Sequence, residues 1–122
     1  MTTGAPNSRG TFSYAVTATF DEARVADEWI AWLRDGHIAD VQLGGALNAE
    51  VVRRDPDPLG ATGASSGAVV LEVRYRFASR ESFDCYVREF APKLRAEGAA
   101  KFPIERGVRQ QRAMGVVVLD RG

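Results

Sequence analysis

Ala68-Val69-Val70-Leu71-Glu72-Val73-Arg74-Tyr75-Arg76-Phe77-Ala78 is the stretch that decides the fold. Val69, Leu71, Val73, Tyr75 and Phe77 recur at every second position, with Val70, Glu72, Arg74 and Arg76 between them. Successive strand residues point to opposite faces, so the stretch reads as a strand with one apolar face and one mixed, charged face. Directly after it, Ser79 is placed to cap a helix in which Phe83, Tyr86, Val87, Phe90 and Leu94 keep helical spacing and mark the core side. Pro92 falls inside that pattern and lacks the amide that would bond four residues back, so it kinks the helix or begins a fresh turn. A last strand follows from about Val108 to Leu119.

Upstream, Phe12, Tyr14, Val16, Ala18 and Phe20 alternate with small polar residues and predict a first strand. Asp21 offers a carboxylate as helix cap, and Val25, Trp29, Trp32 and Leu33 then fall on one helical stripe. Gly36 suits the left-handed position that ends a helix, with a short second turn from His37 through Val41 before Gly44-Gly45. Leu47 to Arg54 alternates weakly and runs into Asp55-Pro56-Asp57-Pro58, which marks an edge strand. The stretch from Asp55 to about Gly67 has the composition of a mobile surface loop.

Strand, helix, strand, strand, helix, strand is the order of a ferredoxin-like βαββαβ unit of the α+β class. That unit is a four-stranded antiparallel sheet with two helices on one face. The other face would carry Thr17, Thr19, Val70, Glu72, Arg74 and Arg76, too polar for a dry core and too apolar for a fully solvated sheet. A second copy packed sheet against sheet would cover it, so a homodimer is expected.

The 122 residues, 45% hydrophobic, suit a single domain over 11–122, with residues 1–10 expected to be a disordered leader. No long uncharged apolar run and no apolar signal segment are present, which points to a cytoplasmic protein without a membrane partner. Sixteen basic and sixteen acidic residues cancel, which argues against a broad phosphate-binding surface and so against nucleic acid. Cys85 is the only cysteine and His37 the only histidine, so no internal disulfide and no Cys/His metal cluster can form. Nothing calls for a cofactor or a metal.

The chain resembles the bacterial family called domain of unknown function 4286, within the dimeric α+β-barrel superfamily. The resemblance runs from about Tyr14 to Leu119. It is carried by Trp29-x-x-Trp32, Gly36-His37-Ile38, Tyr86, Ala91-Pro92-x-Leu94-Arg95, Phe102 and Arg112. It implies a homodimer in which two four-stranded sheets form a barrel with the helices outside. The wider superfamily includes cofactor-independent monooxygenases, isomerases, polyketide cyclases and haem enzymes, many with a ligand cavity between helices and sheet. Fold kinship does not choose among these, and no catalytic residue is carried over.

Each chemically capable residue has a functional and a structural reading. His37 can serve as general acid or base, or it can hydrogen-bond the end of the first helix and fix the turn. Trp29 and Trp32 can line an aromatic pocket or pack as core, their indole N–H groups reaching Tyr14 or Tyr75 hydroxyls. Tyr14, Tyr75 and Tyr86 complete the expected ligand-binding set for a small apolar or aromatic molecule. Arg74, Arg76 and Arg112 can bind an anion, or pair with Glu72 and its dimer-related copy inside the barrel. Cys85 falls opposite the Phe83 stripe and lacks the setting of a nucleophile. Gly60, Gly63 and Gly67 precede a strand instead of opening a helix, so they lack the geometry of a phosphate loop. Two functional classes stay open: an enzyme with His37 moving a proton, and a non-catalytic interaction module whose aromatic residues fill the cavity.

Overall fold

The computed structural model describes residues 10–55 and 68–121. Most of the expected leader, and the loop with Gly60, Gly63 and Gly67, lie outside the described residues. The elements are β1 (Phe12–Phe20), α1 (Ala23–Trp32), α2 (Ile38–Leu43), β2 (Ala46–Arg53), β3 (Val69–Phe77), α3 (Arg80–Glu89), α4 (Ala91–Lys101) and β4 (Val108–Val116). The strands form one four-stranded sheet in the order β2-β3-β1-β4, and every neighbouring pair is antiparallel. This is the ferredoxin-like arrangement, with the two most regular strands in the centre and β2 and β4 at the edges.

Each of the two expected helices is divided. A wide turn over Leu33–His37 joins α1 to α2, and Gly36 there has an extended φ of 176° instead of the left-handed value of a terminating glycine. Gly36 breaks the helical path as expected, and the short second segment after it runs to Leu43, beyond Val41. Between α3 and α4 the break falls where Pro92 demands it: α4 starts at Ala91 with the proline in its first turn, where a missing amide costs nothing. Ser79 caps α3 as expected, its hydroxyl accepting from the Ser82 amide at 3.0 Å.

Asp21 does not cap α1. Glu22 occupies that position without a side-chain cap bond. The Asp21 carboxylate instead accepts from Arg109 Nη2 at 3.2 Å, and its amide donates to the Gly107 carbonyl at 3.0 Å. Gly107 has a left-handed φ of 75°, and a Cβ there would lie 2.8 Å from an Asp21 carboxylate oxygen. Asp21 thus ties the end of β1 to the start of β4. The last strand also ends earlier than expected, at Val116, with Val118 and Leu119 exposed beyond it.

The core lies between the sheet and the helices. Phe12, Phe20, Leu71, Val73 and Phe77 from the sheet meet Val25, Trp29, Leu33 and Phe83 from the helices, all buried. The apolar stripes marked this layer well, except that Val87 is 44% exposed and Ala26, outside the stripe, is fully buried. β1 and β3 pair over their whole lengths, Tyr14 opposite Tyr75 and Thr17 opposite Glu72. That register puts Thr17, Thr19, Val70, Glu72, Arg74 and Arg76 together on the face without helices.

Candidate functional site

The helices do not lie equally close to the sheet. Where α1 and α3 pack on the central strands, α4 packs chiefly on α3 and α2. A cavity of about 840 Å³ opens between α4 and the β1–β4 side of the sheet. Its floor is Tyr14, Val16, Val73 and Tyr75, its inner wall Trp29, Trp32 and Leu33, and its α4 side Leu94, Gly98 and Phe102. Gly98 lets α4 approach Trp32: a Cβ on it would lie 3.2 Å from the indole. The volume suits a small organic ligand.

All five expected aromatic residues line the cavity, and the structure separates their roles. Tyr14 stacks on Tyr75 with centroids 5.8 Å apart and lies 6.2 Å from the Tyr86 ring. Trp29 is a core residue, 2% exposed and tilted against Phe20, although one edge reaches the cavity wall. Trp32 is half-buried and sits between His37 and Phe102. The tyrosine–indole hydrogen bond considered for Tyr75 is not formed. Tyr75 is 3% exposed, and its hydroxyl has no hydrogen-bond partner among the described residues. Burial, reinforced by Tyr86 and Tyr14, pushes its ionisation well above the usual phenol range, so it is a neutral donor. Burial raises Tyr86 likewise, against the opposing charges of Arg112 and Arg95.

His37 lies at the cavity edge, where the bend between α1 and α2 aims it back along the helix. Its ring stacks on Trp32 at a centroid distance of 4.0 Å and an interplanar angle of 21°. No side-chain capping bond to the helix is made there, so the expected hydrogen bond to the end of the first helix is replaced by an aromatic stack. Burial pushes the imidazole down to about 4, with Asp40 acting weakly in the other direction. A base so far below neutrality accepts protons poorly at pH 7.

The arginines expected to act together are on opposite sides of the sheet. Arg112 pairs in register with Val16, whose side chain lines the cavity, so Arg112 faces the helix side. Its guanidinium reaches only Gln110 Oε1, at 3.5 Å. Arg74, on the open face, binds Glu72 at 3.1 Å and Glu50 at 3.2 Å, and Glu72 also meets Arg54 at 3.5 Å. Arg76 pairs with Asp120 at 3.5 Å. The pairing with Glu72 thus forms for Arg74 within one chain, and Arg112 is no part of it. Strand phase explains the difference: a residue of β4 takes its face from the partner opposite it on β1, which composition does not reveal. The same register would have brought Gln110 to the cavity. Arg95 was visible only as part of the Ala91-Pro92-x-Leu94-Arg95 pattern.

Cys85 is a free, exposed thiol on α3. Among the described residues no group of three or more His, Cys, Asp or Glu side chains could hold a metal ion. No helix among them is long and apolar enough to cross a membrane.

A ferredoxin-like sheet with helices on one face and a cavity beneath them defines the class, and comparison with known proteins agrees. The structure is similar to a dimeric ferredoxin-like protein from an uncultured marine organism, with a TM-score of 0.70 at 12% identity over 92% of this chain and 99% of that one. It is similar to a protein of Bacillus cereus provisionally assigned as an antibiotic biosynthesis monooxygenase, with a TM-score of 0.62 at 15% identity over 93% and 98%. A third, an EthD-like protein of Ralstonia eutropha, gives 0.57 at 18% identity over 93% and 96%. Likeness at these identities establishes the fold alone. No curated protein sequence matches. Residues 11–116 match the family model described as Domain of unknown function (DUF4286), and the chain belongs to that family.

Proposed function

We propose that this protein is a homodimer that binds one small, largely apolar or aromatic molecule per subunit in the cavity between α4 and the sheet. The observation that carries this reading is the Tyr75 hydroxyl, buried on the cavity wall and without a partner among the described residues. Leaving a buried hydroxyl unpaired costs about 1–3 kcal/mol, and an acceptor on a bound molecule would offset it. Tyr14, Val16 and Val73 then supply apolar contact, and the Trp32–His37 stack supplies a flat wall. The dimer would form through the open sheet face, where alternating Glu72 and Arg74 give a self-complementary charge pattern; the dimeric character of a similar structure supports it.

Catalysis with His37 as acid or base is the second reading, favoured by its place at the cavity edge and by the monooxygenase assignment of a similar fold. Its depressed basicity counts against proton transfer at neutral pH. The test is a thermal-shift screen of the full chain against flavin, haem, aromatic acids and acyl compounds, run in parallel on Tyr75→Phe. A ligand that raises the melting temperature of the wild type, and raises that of the variant less, supports the cavity reading. Equal shifts in both proteins would remove Tyr75 from the site. Light scattering at micromolar concentration should give the mass of a dimer; a monomer mass overturns that part.

A further inference from the structure

The cavity has an unusual charge balance for a chain whose acids and bases are equal in number. Among the described residues, Arg95, Arg109 and Arg112 line it and no aspartate or glutamate does. Arg109 is already committed to Asp21. Arg95 and Arg112 have no carboxylate within ion-pair distance among the described residues, whereas eight other arginines do. Both line the cavity, one from α4 and the other from β4. Two guanidinium groups without a carboxylate partner among the described residues therefore border the cavity on its α4 and β4 sides.

Tyr75 adds a second polar feature to the same lining. Tyr75 is opposite Tyr14, and Arg112 is opposite Val16, on strands at either side of β1. Two strand spacings of about 4.8 Å and a step of two residues separate them on the same face. The rest of the lining is largely tyrosine, tryptophan and aliphatic side chains. Guanidinium groups, an apolar lining and a neutral hydroxyl donor in one cavity call for a ligand with matching parts.

We infer that the ligand is an amphipathic organic acid whose carboxylate is held by Arg112 and Arg95, with its apolar body against Tyr14 and Val16 and an acceptor atom at the Tyr75 hydroxyl. This rests on the cavity reading and names the ligand class for the same site. Guanidinium forks match a carboxylate with two parallel donors. The absence of any acidic side chain disfavours amines of the same shape. Neutral molecules would fit but lose the paired contact.

The experiment is calorimetric titration of the full chain with three probes of one shape: 4-phenylbutyrate, 4-phenylbutan-1-ol and 4-phenylbutylamine. The acid should bind at least tenfold more tightly than the alcohol, and the amine more weakly than either. In the double variant Arg95→Gln, Arg112→Gln the acid should fall to the affinity of the alcohol, which itself stays unchanged. Both arginines are exposed, so the variant should fold, as its melting temperature will report. Arg74→Gln, on the open face, should leave the acid's advantage intact. An alcohol that binds as well as the acid, or an advantage that survives the double substitution, overturns the anion assignment while leaving the cavity reading standing. Failure of all three probes to bind at millimolar concentration overturns both.

Discussion

Arg74 and Arg112 are the same residue type on neighbouring regions of one sheet, yet their surroundings are opposite. Arg74, on the open face, is bound by Glu72 and Glu50, and Glu72 is shared with Arg54. Arg112, on the helix face, reaches only the neutral amide of Gln110. Compensated charge at an open sheet face is what a packed interface needs, because an unpaired charge loses its hydration there. Uncompensated charge at a cavity mouth is left over for a ligand. Under the proposed function the two faces separate assembly from recognition, and the residue type alone does not say which role an arginine has.

The largest expected effect tests whether the helix face is also the seat of stability. Trp29→Ala should cost about 3–5 kcal/mol, measured by urea denaturation, because the indole is 2% exposed and anchors α1 to Phe20. A loss below about 1 kcal/mol would mean that the core is elsewhere.

A smaller effect comes from His37. Its basicity falls from 6.5 when exposed to about 4 in the folded chain, so below pH 6.5 the unfolded chain takes up the proton first. This contribution to stability is complete above pH 6.5, is lost as pH falls towards 4, and changes no further below that. Melting temperatures of wild type and His37→Phe across this range should diverge, with the variant declining less. Parallel curves would show that the Trp32–His37 stack does not keep the proton away.

Ser79→Ala should cost about 1 kcal/mol through the lost cap of α3, without effect on either face's function. Smaller still, Arg74→Gln should lower the denaturation midpoint slightly by breaking an exposed ion-pair network, and by more than Arg112→Gln does. Reversal of that order, read from denaturation midpoints, would break the contrast between the two arginines.

Much of the architecture was legible because strand and helix periods differ. The alternation of Val69 to Phe77 identified the central strand, Ser79 and Pro92 marked real helix starts, and the mixed face of β3 announced an uncovered side. What could not be read depends on tertiary choices. Asp21 had two possible uses, and the tie to Arg109 and Gly107 prevailed over the helix cap. Gly36 does break the helix, but with an extended φ and not the left-handed one expected. Around the cavity, Tyr14, Trp29, Trp32, Tyr75, Tyr86 and His37 were named from the sequence, but not their arrangement, with the Tyr75 hydroxyl unpartnered among the described residues and Arg95 and Arg112 on the same lining. Arg95, Gln110 and Gly98 became visible only once α4 and β4 were set against β1.

The separation of the two faces is tested most directly by mapping amide chemical-shift changes in a ¹⁵N-labelled sample as 4-phenylbutyrate is added. Changes should concentrate at Gly98, Ala99, Gln110 and Arg112, which line the cavity, and leave Thr17, Glu72 and Arg74 on the open face unmoved. Changes centred on Glu72 and Arg74, with the cavity residues unperturbed, would contradict the assignment of recognition to the helix face.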